Sequence, residues 1–209
     1  GNVADVQLDV IEGDKTRVTS ITFKGASSFS KSRLQGVLVT KESGPLSLLK
    51  NDDIYDLDRT DRDLEALRAF YHDNGYIDAV VSGPDVVLDE KVNEIYLVYS
   101  VNEGRRYRVG EVSVFDTSAR GVKVDGIEKG DVYSPSKAEA AASGSLRKMS
   151  RLGVSDVEVT FRPDRRPDGT VDVGFMVDDT ARIYVERIEI SGNQKTTDYV
   201  IRREIDFPE

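Results

Sequence analysis

The chain has 209 residues, of which 38% are hydrophobic and 32% charged, and a formal net charge of −9 at pH 7. No window of about 20 apolar residues occurs, so the sequence predicts a soluble segment without a membrane-spanning helix. The acidic balance argues against nucleic acid or an anionic membrane as a partner, because Lys and Arg supply most of that affinity. With no cysteine and a single histidine, His72, thiol chemistry and clustered Cys or His metal sites are excluded.

The clearest pattern in the chain is an internal repeat. Three similar stretches, each a short polar turn followed by an alternating strand, start their strands at Arg17, Arg108 and Tyr184. The offsets between them exceed the length of a solenoid repeat and approach that of a small domain. The repeat therefore predicts tandem modules, each with a modest core of its own.

The first complete module spans residues 14–103 and predicts the order β-α-α-β-β. Its second helix is the best marked element, because apolar residues recur at three- and four-residue spacing and Asp58 or Thr60 can cap its start. Asn74-Gly75 ends this helix, since both residues tolerate the left-handed conformation. The other predicted elements are a strand at 17–24, a helix at about 31–40 and strands at 76–88 and 94–102.

The second module, residues 104–180, predicts the same order with a shorter first half. Its second helix begins at Ser134-Pro135, and the hairpin that follows turns at Pro167-Asp168-Gly169. One face of each predicted sheet is apolar, so two helices should cover that face and leave the other wet. Residues 1–13 match the last strand of a preceding module, and 181–209 match the first strand and helix of a following one.

Candidate catalytic and metal-binding patterns are incomplete. The acidic stretch 52–63 lacks the Gly and Glu of a calcium loop, so we interpret its carboxylates as favourable charges at a helix start. His72 has no companion residues for catalysis, and no phosphate-cradling glycine loop or nucleophile motif occurs. The sequence therefore predicts no enzyme, no cofactor and no metal site.

Charge differs between the two modules. Residues 14–103 hold 11 Lys and Arg against 16 Asp and Glu, whereas residues 104–180 hold 13 of each. The first module is therefore the acidic one. Arg105, Arg106 and Arg108 lie near the junction, and we expect them to pair with acidic residues of the first module and limit hinge motion.

Several motifs resemble those of POTRA domains, the polypeptide-transport-associated repeats of proteins that assemble outer-membrane β-barrels. Phe70-Tyr71 followed by Asn74-Gly75-Tyr76-Ile77-Asp78-Ala79 is similar to the family's pattern at the end of the second helix, and Asn102-Glu103-Gly104 to its module ends. The stretch from Tyr184 to Glu204 resembles the start of the fifth, barrel-proximal domain. The resemblance covers the whole chain, as the end of a second domain (1–13), a third-like domain (14–103), a fourth-like domain (104–180) and the start of a fifth (181–209).

This resemblance implies an α+β fold in which each module packs a three-stranded mixed sheet on two helices. It also implies a noncatalytic scaffold at the periplasmic face of the Gram-negative outer membrane, tethered in the full-length protein to an outer-membrane barrel. The implied partners are unfolded outer-membrane β-barrel proteins and the lipoproteins of the assembly complex. The alternative is the POTRA receptor region of a related transporter or of a TamA-like translocation and assembly factor.

The predicted binding surface is the second strand of the first module, which the family places at a sheet edge. Gly83-Pro84 interrupts this strand, and such interruptions are confined to edges or bulges because proline donates no hydrogen bond. An incoming segment could add a strand along the positions Val80, Val81, Val86 and Val87. Blunting of the edge against aggregation is an equal alternative for Pro84.

The resemblance further places a lipoprotein contact on the first helix of the fifth domain and another near the edge strand of the third. In this sequence the first of these contacts corresponds to Arg202, Arg203 and Glu204. Local charge pairing within a helix is the alternative role for these three residues.

Overall fold

The structure, a computed structural model, describes the following parts of the chain: 16–44, 53–90, 92, 94–118, 120–154, 156–180, 189–192, 197 and 199–200. These residues form two α+β modules, each built on a three-stranded mixed sheet, which confirms the predicted fold class. The strand expected at 1–13 and most of 181–209 lie outside the described residues. Arg202, Arg203 and Glu204 lie outside them as well.

The first module has the predicted element order. Its elements are β1 (Arg17–Lys24), α1 (Lys31–Val37), α2 (Leu57–Asp73), β2 (Val80–Asp89) and β3 (Glu94–Asn102). β3 occupies the centre of the sheet, parallel to β1 and antiparallel to β2. α1 ends three residues earlier than predicted, and β2 starts four residues later because 76–79 form a turn closed by the Ala79 N–H and the Tyr76 carbonyl.

The start of α2 differs from the prediction. Asp56 is the N-cap, and its carboxylate accepts hydrogen bonds from the N–H groups of Asp58 and Arg59. Asp58 and Thr60 are therefore wrong as caps, since both lie inside the helix. The end is as predicted, because Gly75 adopts the left-handed conformation with φ +92°.

The core of the first module lies between the sheet and one face of α2. Leu67 and Tyr71 of α2 are fully buried against Leu97 and Tyr99 of β3 and their neighbours. Leu57, which the helical spacing includes in the apolar stripe, is 68% exposed. The stripe therefore begins at Leu64, close to the middle of the helix.

The carboxylate of Glu103 ties the end of β3 to the segment that leads into α1. It accepts hydrogen bonds from the N–H and hydroxyl groups of Ser27 and Ser28 at 2.6–2.9 Å, and from the Tyr71 hydroxyl at 3.1 Å. Burial disfavours its ionised form, but the bonds from Ser27 and Ser28 outweigh burial and lower the pKa of Glu103 to about 2. Glu103 is thus an ionised group that holds the segment before α1 against the end of β3.

The second module contains β4 (Arg108–Asp116), α3 (Pro135–Arg151), β5 (Val157–Arg165) and β6 (Thr170–Asp179), in the sheet order β4-β6-β5. The helix expected between β4 and α3 is wrong, because the described residues there form turns and irregular backbone. The glycines at 121, 126 and 130 adopt positive φ and interrupt any helical run. Val122 and Ile127 from this segment are buried and supply the apolar contacts expected of that helix.

The two modules meet through the segment that follows α2. Asp73 accepts hydrogen bonds from the Ser134 hydroxyl (2.9 Å) and the Ser136 N–H (3.0 Å), so a first-module carboxylate sits at the N-terminus of α3. Asp78 accepts hydrogen bonds from the Tyr107 hydroxyl (2.7 Å) and from Arg165 (2.8 Å). Two carboxylates of the acidic module therefore hold the start of α3, the end of β5 and the residue before β4.

The expected pairing of Arg105, Arg106 and Arg108 with acidic residues is wrong. Their guanidinium groups donate instead to the main-chain carbonyls of Pro167, Asn74 and Gly130, respectively. These carbonyls belong to turns beside the start of β4 and are therefore close acceptors for side chains there. The ion pair across the junction comes from Arg165, at the far end of β5.

We predict that Glu103→Gln lowers the free energy of unfolding by about 1.5–3 kcal/mol at pH 7, the range for hydrogen bonds to a charged group. The pKa of Glu103 is depressed from its ordinary 4.5 to about 2, so its charge stabilises the fold above pH 4.5. That contribution declines as the pH falls from about 4.5 to about 2. Urea unfolding of the wild-type chain and the Glu103→Gln variant across this pH range should show the difference between their free energies of unfolding shrinking as the pH falls. A difference that does not change with pH would contradict a stabilising role for the Glu103 charge.

We predict that Asp73→Ala destabilises the second module by about 1 kcal/mol, because the N-terminus of α3 loses an acceptor. The matched control is Asp61→Ala, which removes an exposed carboxylate from the same helix. Hydrogen exchange of α3 amides measures the effect locally. Equal exchange in the two variants would show that Asp73 does not couple the modules.

Candidate protein-interaction edges

A three-stranded sheet has two lateral edges, and in the first module the β1 edge is covered. The N–H of Val18 donates to the Asp53 carbonyl (2.8 Å), and the Val18 carbonyl accepts from the Ser43 N–H (2.7 Å). The N–H of Ile21 donates to the Glu42 carboxylate (2.8 Å). The connection between α1 and α2 therefore occupies the first half of this edge.

The second module covers the equivalent edge in the same way. The N–H of Val109 on β4 donates to the Asp131 carbonyl, and the Val109 carbonyl accepts from the Gly130 N–H, both at 2.8 Å. In both modules, then, the first strand of the hairpin, β2 or β5, forms the other edge.

The direction of the β2 main chain follows from its partner, β3. The Leu97 carbonyl accepts a hydrogen bond from the Thr22 hydroxyl on β1, and a Cβ placed on Gly25 would lie 2.2 Å from the Val101 oxygen. Leu97 and Val101 therefore direct their main-chain groups toward β1. Residues opposite such positions in an antiparallel pair direct their N–H and C=O groups away from the shared strand.

On β2 these outward positions are Val81, opposite Val101, and Val86, opposite Leu97. Leu88, two residues beyond Val86, shares its orientation. The register shifts between Ser82 and Asp85, at the predicted Gly83-Pro84 interruption. We call Val80–Ser82 the proximal half of β2 and Asp85–Asp89 the distal half.

The four residues predicted for strand addition all lie on this edge strand, but they differ in position. Val81 and Val86 direct their main chain outward, whereas Val80 and Val87 direct theirs toward β3. The side chain of Val81 is buried in the core, and those of Val80, Val86 and Val87 are exposed. All four candidates thus lie on one edge strand, and two of them, Val81 and Val86, direct their main-chain N–H and C=O groups to the open edge.

Two residues at this edge were missed by the sequence reasoning. Leu88 is half exposed and belongs to the same period-two alternation as Val86, so the pattern could have identified it. Arg68 of α2 donates from Nη2 (3.0 Å) and Nε (3.3 Å) to the Val81 carbonyl, the outward acceptor of the proximal half. No sequence signal connects a helix arginine to a strand carbonyl.

The charge around the distal half is negative. Residues 85–94 contain four acidic residues and one lysine. The Tyr96 hydroxyl donates to the Glu94 carboxylate at 3.1 Å, and this bond, with the charges of Glu94 and Asp89, raises the pKa of Tyr96. A segment laid beside this strand would meet an acidic environment.

The β5 edge of the second module offers fewer main-chain donors to an added strand. The Val177 carbonyl accepts from Thr117 beyond β4, so by the same alternation Val159, Phe161 and Pro163 direct their main chain outward on β5. Proline has no N–H to donate. Arg165, the next outward position, is held by Asp78 across the junction.

A depression of about 720 Å³ lies on the uncovered face of the second sheet. Arg166, which lines it, is ion-paired with Asp172 (2.7 Å) and Asp164 (3.4 Å), so these charges are satisfied by one another.

Within the described residues, no group of three or more His, Cys, Asp or Glu side chains could hold a metal ion. No helix among these residues is long and apolar enough to cross a bilayer.

Comparison with known proteins finds a family model that matches the first module and relatives that match the chain over nearly all of its length. Residues 16–104 match the POTRA family model, described as "Surface antigen variable number repeat". The outer membrane protein assembly factor BamA of Neisseria meningitidis serogroup B is 28% identical over 98% of this chain and 26% of its own length. BamA of Neorickettsia risticii is 32% identical over 98% of this chain and 28% of its own length. The chain thus spans little more than a quarter of these relatives.

The crystal structure of Haemophilus influenzae BamA POTRA3-5 superimposes with a TM-score of 0.63 at 22% identity, covering 94% of this chain and 79% of that one. At this identity the likeness shows a shared fold. It extends over both modules, beyond the residues that the family model matches. Residues 16–104 are therefore a POTRA domain, and both modules share the fold of the BamA POTRA domains.

Proposed function

We propose that the chain is a noncatalytic scaffold of outer-membrane protein assembly, acting at the periplasmic face of the Gram-negative outer membrane. Its open edge would bind unfolded outer-membrane proteins by strand addition. The relatives named as outer membrane protein assembly factors support the general role. Strand addition is supported by the outward N–H and C=O groups of Val86 and Leu88, because the described residues place no strand beside them.

Strand addition recognises the main chain and reads little of the side-chain sequence, which suits a receptor for many clients. Each hydrogen bond contributes about 0.5–1.5 kcal/mol net. Ordering each residue of the incoming segment costs about 1–2 kcal/mol. Few bonds are available at this edge, so binding is weak and reversible, as handing a client onward requires.

The domain assignment and the lipoprotein contacts are part of the same proposal. Residues 14–103 would be third-like and 104–180 fourth-like, between the end of a second domain (1–13) and the start of a fifth (181–209). Lipoproteins would dock at Arg202, Arg203 and Glu204, which stay predictions because they lie outside the described residues. In the full-length protein the array would be tethered to an outer-membrane barrel.

We predict that a photoreactive residue at Val80 or Val86 cross-links to nascent outer-membrane proteins in cells. Thr22 is the matched control, because it is also exposed on a strand but belongs to the covered side of the sheet. We expect at least fivefold more product at Val86 than at Thr22. Equal yields at the two positions would contradict binding at the open edge.

A second prediction concerns the bonds themselves. A peptide from a barrel strand should bind the chain with a Kd of about 1 µM or weaker. N-methylation of alternate backbone amides removes the donors that a paired strand needs, so it should abolish binding. Isothermal titration calorimetry measures both affinities, and undiminished binding of the methylated peptide would reject strand addition.

A further inference from the structure

The two sheets share one topology, so the faces that their helices leave uncovered can be compared position by position. At three neighbouring positions on this open face, the first sheet carries Lys24, Val98 and Ser100. The equivalent positions of the second sheet hold Phe115, Gly174 and Met176. The same fold thus presents a polar, filled surface in the first module and an apolar surface without a central side chain in the second.

The missing side chain at Gly174 forms the floor of the depression of about 720 Å³ on the second sheet. A Cβ atom placed on Gly174 would lie 3.4 Å from Cε2 of Phe115 and 3.6 Å from the Ser113 hydroxyl, so the ring leans over the glycine. The residue has no positive φ that would require glycine. Glycine inside a strand weakens it and often marks a place where a ligand or another chain approaches closely.

The walls of the depression are an aromatic ring and a thioether. Phe115 is 59% exposed and Met176 is 42% exposed, although the two residues are paired across neighbouring strands. Aromatic rings pack favourably edge to face, and sulfur atoms contact the edges of rings. An aromatic side chain inserted above the glycine would therefore meet a suitable partner on each side and bury apolar surface of both.

One cation beside the depression has no carboxylate partner. Arg162 of β5 lies opposite Gly174 and lines the depression, and no carboxylate among the described residues forms an ion pair with it. The equivalent residue of the first sheet, opposite Val98, is Asp85, which carries the opposite charge. A ligand with a carboxylate near its ring would find a charge-assisted hydrogen bond at this arginine.

The remaining charges of the depression determine the direction of such a ligand. Arg166 is occupied by Asp164 and Asp172, so these three groups offer no unpaired charge. Glu111 is exposed on β4, four residues before the aromatic ring. Because it repels another carboxylate, an acidic group of the ligand is favoured at Arg162 and disfavoured at the other end.

We propose that the open face of the second sheet is a binding site for a partner protein that presents an aromatic side chain next to an acidic residue. The ring lies over Gly174 between Phe115 and Met176, and the carboxylate pairs with Arg162. The main-chain groups in the middle of a sheet are already paired, so this site recognises side chains. It is therefore suited to a specific partner and acts independently of strand addition at β2.

The two methionines provide separate NMR probes, because Met176 lies at the depression and Met149 lies in the core. The chain labelled with 13C-methyl methionine is titrated with blocked peptides that contain Phe-Asp, Phe-Lys or Ala-Asp in one Gly-Ser background. The Phe-Asp peptide should shift the Met176 signal, leave that of Met149 in place and bind with a Kd of about 1 mM or tighter. The other two peptides should bind at least fivefold more weakly.

Two results of this titration would overturn the proposal. Equal affinity for the Phe-Asp and Phe-Lys peptides would exclude the acidic residue from the ligand. A Met176 signal that does not move with the Phe-Asp peptide at about 10 mM would exclude the site itself.

A variant of the floor tests the position of the ring. Gly174→Thr puts a β-branched side chain, which strands favour, over the floor and should weaken the Phe-Asp peptide at least tenfold. Val98→Thr, the matched control at the equivalent position of the first module, should change the affinity less than twofold. Urea unfolding verifies that both variants are folded, and unchanged binding by folded Gly174→Thr would overturn the proposal.

A second variant leaves the floor intact. Arg162→Gln should remove the preference for the Phe-Asp peptide over the Phe-Lys peptide. Arg151→Gln, which removes an exposed charge from α3, controls for the change in net charge and should keep the preference. A preference that survives Arg162→Gln would overturn the role of this arginine.

Two measurements separate the other possible occupants. N-methylation of the Phe-Asp peptide should leave its affinity within twofold, whereas loss of binding would assign the peptide to strand addition and overturn the proposed site. Sedimentation equilibrium should give the same mass for the wild-type chain and for Gly174→Thr at rising concentration. A dimer that the variant abolishes would assign this face to a second copy of the chain and overturn the proposal.

Discussion

The mixed pairing of the central strand determines which surface each module leaves open. β3 and β6 each run parallel to one neighbour and antiparallel to the other, and a parallel pair requires a long crossover connection. In both modules this crossover returns past the first strand and hydrogen-bonds its outer edge, through the carbonyl of Asp53 in one and of Asp131 in the other. Because main-chain groups need partners or water, the hairpin strand is left as the edge available to another chain.

Buried carboxylates hold the crossover of the first module in this covering position. Asp63 of α2 accepts hydrogen bonds from the N–H groups of Val39 and Thr40, and Asp53 pairs with Arg17 at 2.6 Å. Glu103 clamps the segment before α1. A module of this size has a small core, so charge-assisted hydrogen bonds position loops that apolar burial alone would leave free. These polar interactions therefore help to keep the β1 edge covered, while the sheet order leaves β2 at the other edge.

The sequence predicted the elements with strong local signals. The alternation of Val171, Val173, Phe175 and Val177 marks β6, and all four side chains are fully buried. Gly83-Pro84 indicated an edge strand, because proline in a central strand would break the ladder. These predictions rest on period and backbone chemistry, which are local properties.

The predictions that were wrong depended on three-dimensional competition. Asp56, Asp58 and Thr60 can all cap a helix. Asp53 and Tyr55 hydrogen-bond to Val18 and Thr16 at the start of β1, and the helix begins directly after them with Asp56 as its cap. The missing helix of the second module coincides with the glycines at 121, 126 and 130, which adopt positive φ, while Val122 and Ile127 between them pack into the core. Similarly, the hydrogen bond from Arg68 to the Val81 carbonyl depends on how α2 lies over the sheet.

The distal half of the open β2 edge lies away from the residues that join the two modules. Asp73 and Asp78 lie just before β2, so the junction adjoins its proximal half. Val80 lies opposite Asn102 and Asp85 opposite Val98, so at about 3.4 Å per residue the distal half begins about 14 Å farther along the sheet. A segment added there need not disturb the carboxylates that hold the second module. On β5, in contrast, Arg165 belongs both to the edge and to the junction, so pairing at that end would compete with the contact to Asp78. Strand addition at the distal half of β2 would therefore leave the contacts of Asp73 and Asp78 with the second module in place, whereas strand addition at the end of β5 would compete with one of them.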